Sequence, residues 1–307
     1  MEELAKKRIR TDLALEARES FPDDDVEIKG VILSEDFDDT NKIRVSTVEI
    51  KDEKGSRAMQ KPMGTYITIE ALELGEVDEG YHKPISNIIA KNIKKIAGDV
   101  ESKDVLIIGL GNRDVTPDAL GPWVVDNLFV TRHLLNEYGS DYMIKNRLNS
   151  VSAIAPGVMG QTGMETLEIV KGIVNETKPN LLIVIDALAS RSTKRLNNTV
   201  QLTNTGISPG SGIGNNRKAL NEENLGVKVV AIGVPTVVDA ATIVGDSLFR
   251  YLKTNGFTEE EIYKFISEVN ENQIHNLFVT PKDIDESLKR ISYTVSEALN
   301  SCFTPTI

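Results

Sequence analysis

Two aspartates sit where a chain of this pattern can do acid–base chemistry. Asp186 ends the otherwise apolar run LLIVIDAL (181–188), and Asp118 stands in the loop GLGNRDVTPDALGP (109–122), directly before a helical stretch. A carboxylate at the end of an apolar strand must be hydrogen-bonded, ion-paired or functional, because an unpaired buried charge is costly. If the two loops are neighbours, Asp118 and Asp186 can share one proton and polarise a water, one as base and the other as acid. Neither lies in the Asp-Thr/Ser-Gly context of pepsin-type proteases. Each also has a structural reading. Asp118 alone reads better as a first-turn acid favoured by a helix dipole. Asp186 reads alternatively as the ion-pair partner of Arg191 or Arg195.

The other loops define the chemistry by exclusion. Gly109 and Gly111 give G-x-G, but Asp114 holds the third glycine position of a dinucleotide fingerprint. No acid ends the next strand, which runs into Ala155-Pro156-Gly157, so a Rossmann site is not expected. The loop TGISPGSGIGNNRK (205–218) holds four glycines, a proline and two asparagines. Its exposed amides suit an anion or a peptide backbone; a plain turn is the alternative. It lacks the Lys-Ser/Thr of a P-loop, and Ser211 is not in a Gly-x-Ser-x-Gly elbow. His82, His133 and His275 are widely separated and off the strand-end loops. They read as surface or helix-face residues, His133 as a packed one, and Trp123 as a core or interface aromatic.

These loops need strands and helices to hold them. DVLIIGLG (104–111), SVSAIAP (150–156), LLIVIDAL (181–188) and VKVVAIGVP (227–235) read as strands, the long apolar ones buried on both faces. Helices are expected over 121–138, over 162–177 with Thr162 and Glu165 as a capping box, and from Pro235 through TVVDAATIVGDSLFRYLK. Two more follow, at about 258–270 and 282–300. Before this α/β region, 26–34, 43–51 and 65–72 are β-branched and partly alternating, separated by EDFDDTNK and DEKGSRAMQKPMG. They predict a small antiparallel β element, followed by a helix over 82–98. The fold class is therefore α/β: a mostly parallel twisted sheet flanked by helices, with a small N-terminal β element. Ligands in such sheets sit beyond the carboxyl ends of the strands, after 111, 186 and 233.

Composition narrows the partners. The 307 residues carry 35 Lys+Arg against 46 Asp+Glu, a formal charge of −11. That balance argues against nucleic acid as the direct ligand. No apolar run approaches the ~20 residues a membrane helix needs, and the N-terminus has no signal-type stretch. The single cysteine, Cys302, excludes an internal disulfide and a Cys-based zinc cage. A cytoplasmic protein is expected.

At the loops the chain resembles a known family. IIGLGNRDVTPDALGP, APGVMGQTGMET, VIDALASRS, NTGISPGSGIGNNRK and AIGVPTVVDAATI are similar to the germination proteases (spore proteases) of endospore-forming bacteria. RTDLALEARE (10–19) and HNLFVTPKDID (275–285) extend the likeness over nearly the whole chain. The segment between Lys253 and His275 is shorter than in longer members. The resemblance implies a hydrogenase-maturation-endopeptidase-like fold and an endopeptidase that degrades small acid-soluble spore proteins during germination, in the spore core. It implies an atypical aspartic peptidase with no metal and no cofactor, its catalytic pair falling on Asp118 and Asp186. It further implies a homotetramer made as a zymogen and activated by self-cleavage. Substrates of the family are cut in a Thr/Ser-Glu-Phe/Ile-Ala-type sequence, which Thr11-Asp12-Leu13-Ala14-Leu15-Glu16 imitates. The expected cut is Asp12–Leu13, giving a propeptide 1–12 and a single peptidase domain 13–307, with a β-rich addition (20–80), an α/β core (100–255) and C-terminal helices (256–307). The alternative for 10–19 is a simple helix start capped by Asp12. Supporting roles fall on Asn112 as loop organiser and on Arg191 as a carboxylate partner. Gly210, Ser211, Gly212 and Asn215 are candidate donors to the tetrahedral intermediate. Asp239, expected inside a helix, reads as a surface charge or a third acid. Two other functions compete: a hydrogenase-maturation-like, metal-dependent endopeptidase, and a module that binds spore proteins without cutting them.

Overall fold

The computed structural model describes residues 11–19, 28–72, 74–75, 82–101, 103–210, 217–262, 264–266 and 277–304. One nine-stranded sheet organises them. Its centre is β4 (Asp104–Gly109), β5 (Ser150–Ile154), β6 (Leu181–Ser190) and β8 (Lys228–Asp239), and β4 pairs in parallel with β5 and β6, and β6 with β8. The near-continuous apolar runs dictate this placement, since both faces of these strands are covered. On one face the side chains of Val105, Ile107, Ile183, Ile185, Val230 and Ile232 share a core. Against it pack α3 (His82–Ala97) through Ile85, Ile89 and Ile93, and α10 (Ile284–Phe303) through Leu288, Ile291 and Val295. Each such buried aliphatic contributes about 1.5–3 kcal/mol. On the other face Leu106, Ile108, Leu182 and Val184 meet Val170 and Val174 of α7 (Thr166–Thr177).

The N-terminal β element is part of the same sheet. β1 (Val31–Asp38), β2 (Ile43–Ile50) and β3 (Gly64–Ala71) form an antiparallel meander that joins the core through β7 (Thr199–Thr203), which is antiparallel to both β3 and β8. The sheet as a whole is thus mixed around a parallel centre. β1 begins later than the 26–34 expectation and includes Glu35-Asp36-Phe37-Asp38, because the turn lies at 39–42 and Asp38 pairs with Ile43. The linker read as plain loop contains α2 (Glu53–Met59), whose N-cap Asp52 accepts from Lys54 N at 2.9 Å and Gly55 N at 2.8 Å. α1 (Ala14–Glu19) packs Ala14 and Leu15 with Val48, Ile50, Met59 and Tyr66 into a third apolar cluster.

Three helix expectations are corrected. The 121–138 helix is two: α4 (Leu120–Asp126) and α5 (Arg132–Lys145). Backbone between them bonds elsewhere, Phe129 N to Asn300 Oδ1 at 3.0 Å and Thr131 N to Val151 O at 2.9 Å. His133 on α5 is exposed rather than packed. Glu165, not Thr162, caps α7: its N–H donates to Glu168 at 3.1 Å, while Thr162 ends the short α6 (Met159–Thr162). Pro235 does not open a helix. It lies within β8, at the register shift opposite Leu188 and Ala189, where a missing donor is tolerated. The helix, α9 (Ala240–Thr254), begins five residues later. α8 (Glu222–Leu225) precedes β8, and β9 (Phe278–Val279) pairs with the end of β8. Cys302 is buried and free. Among the described residues no helix is long and apolar enough to cross a membrane.

Candidate active site at the carboxyl ends of the parallel strands

The end of β4 and the middle of β6 present the two aspartates. After Gly109 the Leu110 N–H donates to Ile185 O at 2.8 Å, fastening the first loop to β6. The loop then closes on itself. Gly111 has φ +112, and a Cβ there would lie 1.9 Å from the carbonyl oxygen of Asp118. Asp118 ends a 3-10 turn over Thr116–Asp118, and Thr236 of β8 donates its hydroxyl to Pro117 O at 2.6 Å. Asn112 organises this loop: its N–H donates to Asp118 Oδ2 at 2.8 Å, and its side-chain oxygen accepts from Asp114 N and Gln161 Nε2, both at 3.0 Å.

Asp186 is 6% exposed and accepts from the Ala187 N–H at 3.0 Å. Burial, then the Asp118 charge, then that of Asp12 push its carboxyl well above the usual carboxylate range. Burial also raises Asp118, against the Asn112 N–H and the Arg217 charge, which favour its ionised form. Arg217 acts on Asp186 in the same sense. The ion pairs suggested for Asp186 go elsewhere: Arg191 pairs with Asp246 at 2.8 Å, and Arg195 binds Glu70 and Glu19 at 2.9 and 2.7 Å. Asp239 is neither inside a helix nor on the surface. It is the buried N-cap of α9, accepting from Ala241 N at 3.2 Å, because β8 runs up to it. Gly210 is described, with φ +72; Ser211, Gly212, Asn215 and His275 lie outside the described residues.

The N-terminal segment lies in the same region. Asp12 N donates to Ala189 O at 2.9 Å, and Ala189 N donates to Asp12 Oδ2 at 2.9 Å. Thr11, not Asp12, takes the Leu13 N–H, at 3.1 Å. Leu13 is fully buried. Glu16 accepts from Arg191 N at 2.7 Å, Ser192 N at 3.0 Å and the Thr11 hydroxyl, and pairs with Arg195 at 3.4 Å. Lys61 and Gln201 contact the carbonyl of Asp12, at 2.9 and 3.2 Å. Sequence reasoning passed over Lys61, Gln201 and Arg217. Gln201 carried a weak signal: it is the one amide in the short strand TVQLT. Lys61 carried none, because its linker reads as solvated. Among the described residues no three His, Cys, Asp or Glu side chains cluster as metal ligands do.

The fold and this site define an α/β protein with one aspartate in the loop after β4 and another within β6, just beyond the end of the β4 pairing. Comparison with known proteins makes the class specific. The germination protease family model matches residues 9–261. Germination proteases of Caldanaerobacter subterraneus subsp. tengcongensis and Clostridium perfringens strain 13 are 46% and 41% identical, each over 97% of this chain and 94% and 95% of their own. One from Bacillus cytotoxicus is 38% identical over 97% of this chain and 94% of its own. Among solved structures, the [NiFe] hydrogenase maturation protease HycI from Thermococcus kodakarensis aligns at a TM-score of 0.34 and 15% identity, over 68% of this chain and 99% of its own. The chain belongs to the germination protease family and is a protease.

Proposed function

We propose that this protease is a metal-independent endopeptidase of the spore core that begins the degradation of small acid-soluble spore proteins during germination. Asp118 and Asp186 form its catalytic pair. It is made as a zymogen, assembles as a homotetramer, and removes its own residues 1–12 by cutting Asp12–Leu13. One observation carries this reading. The segment that imitates a substrate is paired through Asp12 to Ala189, at 2.9 Å in both directions and three residues from the buried Asp186, whose pKa is pushed upward by burial, Asp118 and Asp12.

The chemistry follows from the unequal pair. Asp186, raised well above the usual range, serves as the acid; Asp118, raised by burial but opposed by the Asn112 N–H and Arg217, serves as the base. A water held between them loses a proton to Asp118 as its oxygen attacks the scissile carbonyl carbon. Asp186 protonates the departing nitrogen. Asn112 fixes the loop that carries Asp118, and Arg191 shapes the seat of the segment through its backbone N–H to Glu16.

The test is mass spectrometry of an α/β-type small acid-soluble spore protein incubated with the processed enzyme, with and without a strong chelator, beside Asp118→Asn and Asp186→Asn. Cleavage at a Glu-containing site should survive the chelator and fall about 10²–10⁴-fold in each variant. Loss of cleavage in chelator would move the assignment to a metal-dependent, hydrogenase-maturation-like endopeptidase, and an intact substrate would leave a binding module. A first residue other than Leu13 in the activated chain would remove Asp12–Leu13 as the self-cleavage site. Sedimentation equilibrium checks the tetramer.

A further inference from the structure

The carbonyl oxygen of Asp12 is held by two side-chain donors from distant parts of the chain. Lys61 Nζ donates to it at 2.9 Å and also reaches Thr11 O at 3.4 Å. Gln201 Nε2 donates to it at 3.2 Å. The Gln201 amide is oriented by its other end, whose Oε1 accepts from Ala14 N at 2.7 Å, so the NH2 is what faces Asp12. Lys61 and Gln201 thus hold the carbonyl side of the Asp12–Leu13 peptide unit, and its N–H donates to Thr11 Oγ1 at 3.1 Å. Gln201 and Asp186 both pair with Gly233, one on each flank of β8, so the two stand in one line across the sheet. Asp12 spans from Ala189 of β6, three residues beyond Asp186, to Gln201 of β7, so its carbonyl is held on the same stretch of sheet as the aspartate.

We propose that Lys61 and Gln201 are the donors that stabilise the oxyanion of this peptidase, acting on the carbonyl of its own Asp12 and on that of each later substrate. The inference rests on the reading of Asp12–Leu13 as a bond cut by the aspartate pair. In the step, the water oxygen bonds to the Asp12 carbonyl carbon and its proton passes to the ionised carboxylate. The carbonyl electron pair moves onto the oxygen that faces Lys61 and Gln201. It then re-forms the carbonyl as the C–N bond breaks and the protonated carboxyl gives its proton to the Leu13 nitrogen. One water is consumed, and one carboxyl and one amine are produced. A half-buried ammonium suits this task, since its attraction grows as charge develops on the oxygen in front of it. Burial lowers the Lys61 pKa, while Asp12 and Glu16 hold its proton in place. The substrate-like sequence of the segment explains why the donors are visible: the chain presents its own carbonyl to them.

The competing account is that Lys61 and Gln201 only anchor the segment, and the experiment separates the two. In the full chain, self-cleavage at Asp12–Leu13 is followed by intact mass for Lys61→Met, Lys61→Arg and Gln201→Glu. The last keeps the acceptor for Ala14 N and removes the donor. Hydrogen exchange of the Ala14 and Ala17 amides reports whether the segment stays seated. Lys61→Met should slow cleavage about 10²–10³-fold with protection retained, and Lys61→Arg should recover most of the rate. Gln201→Glu should slow it with the Ala14 amide still protected. Cleavage at the unsubstituted rate, or slowing that tracks loss of protection, overturns the inference. Asp118→Asn and Asp186→Asn run in parallel. If they are cut normally while Lys61→Met is not, the aspartate pair falls and the donors stand. A chain never cut at this bond sinks both.

Discussion

At the scale of single residues, the burial of Asp186 costs stability. Asp186 is a carboxyl buried in an apolar strand beside two other acids, and its pKa stands well above the ordinary value of 3.8. The sign of the consequence is fixed by linkage. Well below pH 3.8 the group is neutral in both folded and unfolded chains and contributes nothing. As pH rises the unfolded chain loses the proton first, so stability falls until the folded group ionises as well, and is then level. Asp186→Asn removes that slope. The variant should melt at the same temperature as the unsubstituted chain in strong acid and at a higher one near neutral pH, with the gain growing between, as calorimetry across that range would show. A variant that melts lower at neutral pH would mean that Asp186 is held by a favourable partner. Asp186 was legible as a candidate, because a carboxylate closing LLIVID has few innocent explanations, whereas Asp118 alone read as a first-turn acid. Lys61 and Gln201 were not, because what makes them donors is a contact across 49 and 189 positions of chain.

Elements decide whether those residues meet. The parallel centre was legible because doubly buried strands leave continuous apolar runs; the loop after β4 falls where expected, but β6 and β8 run past 186 and 233 to Ser190 and Asp239. The misreadings share a cause: a local rule was overruled by a tertiary bond. Pro235 favours a helix start locally, but the β6–β8 pairing accommodates it at a register shift. The 121–138 stretch has helical periodicity, yet Phe129 and Thr131 give their N–H groups to Asn300 and Val151. Two predictions belong here. Gly111→Ala places a methyl 1.9 Å from the Asp118 carbonyl oxygen at a backbone angle that favours glycine. It should displace the turn carrying Asp118 and lower the cleavage rate at least about 10²-fold, as a 1 Å misplacement of a reacting group does. Unchanged kinetics would show that this turn does not position the reaction. Glu16→Ala orphans the N–H groups of Arg191 and Ser192 and leaves Arg195 one acid short. It should cost about 1–3 kcal/mol in urea unfolding of the intact chain and raise hydrogen exchange along α1.

For the whole molecule, the seat of the N-terminal segment would govern the outcome of the proposed cut at Asp12–Leu13. Before cleavage the segment is held through Asp12 on β6, Leu13 fully buried, and Glu16 under Arg195. Cutting Asp12–Leu13 makes two new charges in that space. The new Asp12 carboxylate stands among its own side chain, Asp118 and Asp186, an acidic group balanced by Lys61 and Arg217. The new Leu13 ammonium takes the place of a buried peptide N–H, which is costly without a partner. Both effects favour expulsion of residues 1–12 and movement of residue 13 towards solvent, which vacates the seat beside Ala189 and Gln201 for a substrate. The processed protein should therefore show a native mass without the twelve-residue peptide, and faster exchange of the Ala14 and Ala17 amides than the intact chain. Lowering the pH should slow the peptide's departure, because protonating the crowded carboxylates removes the repulsion that drives it. A cleaved peptide that stays bound at neutral pH, with α1 as protected as before, would show that charge does not clear the cleft, and that activation needs a further rearrangement of the segment's seat on β7 and β3.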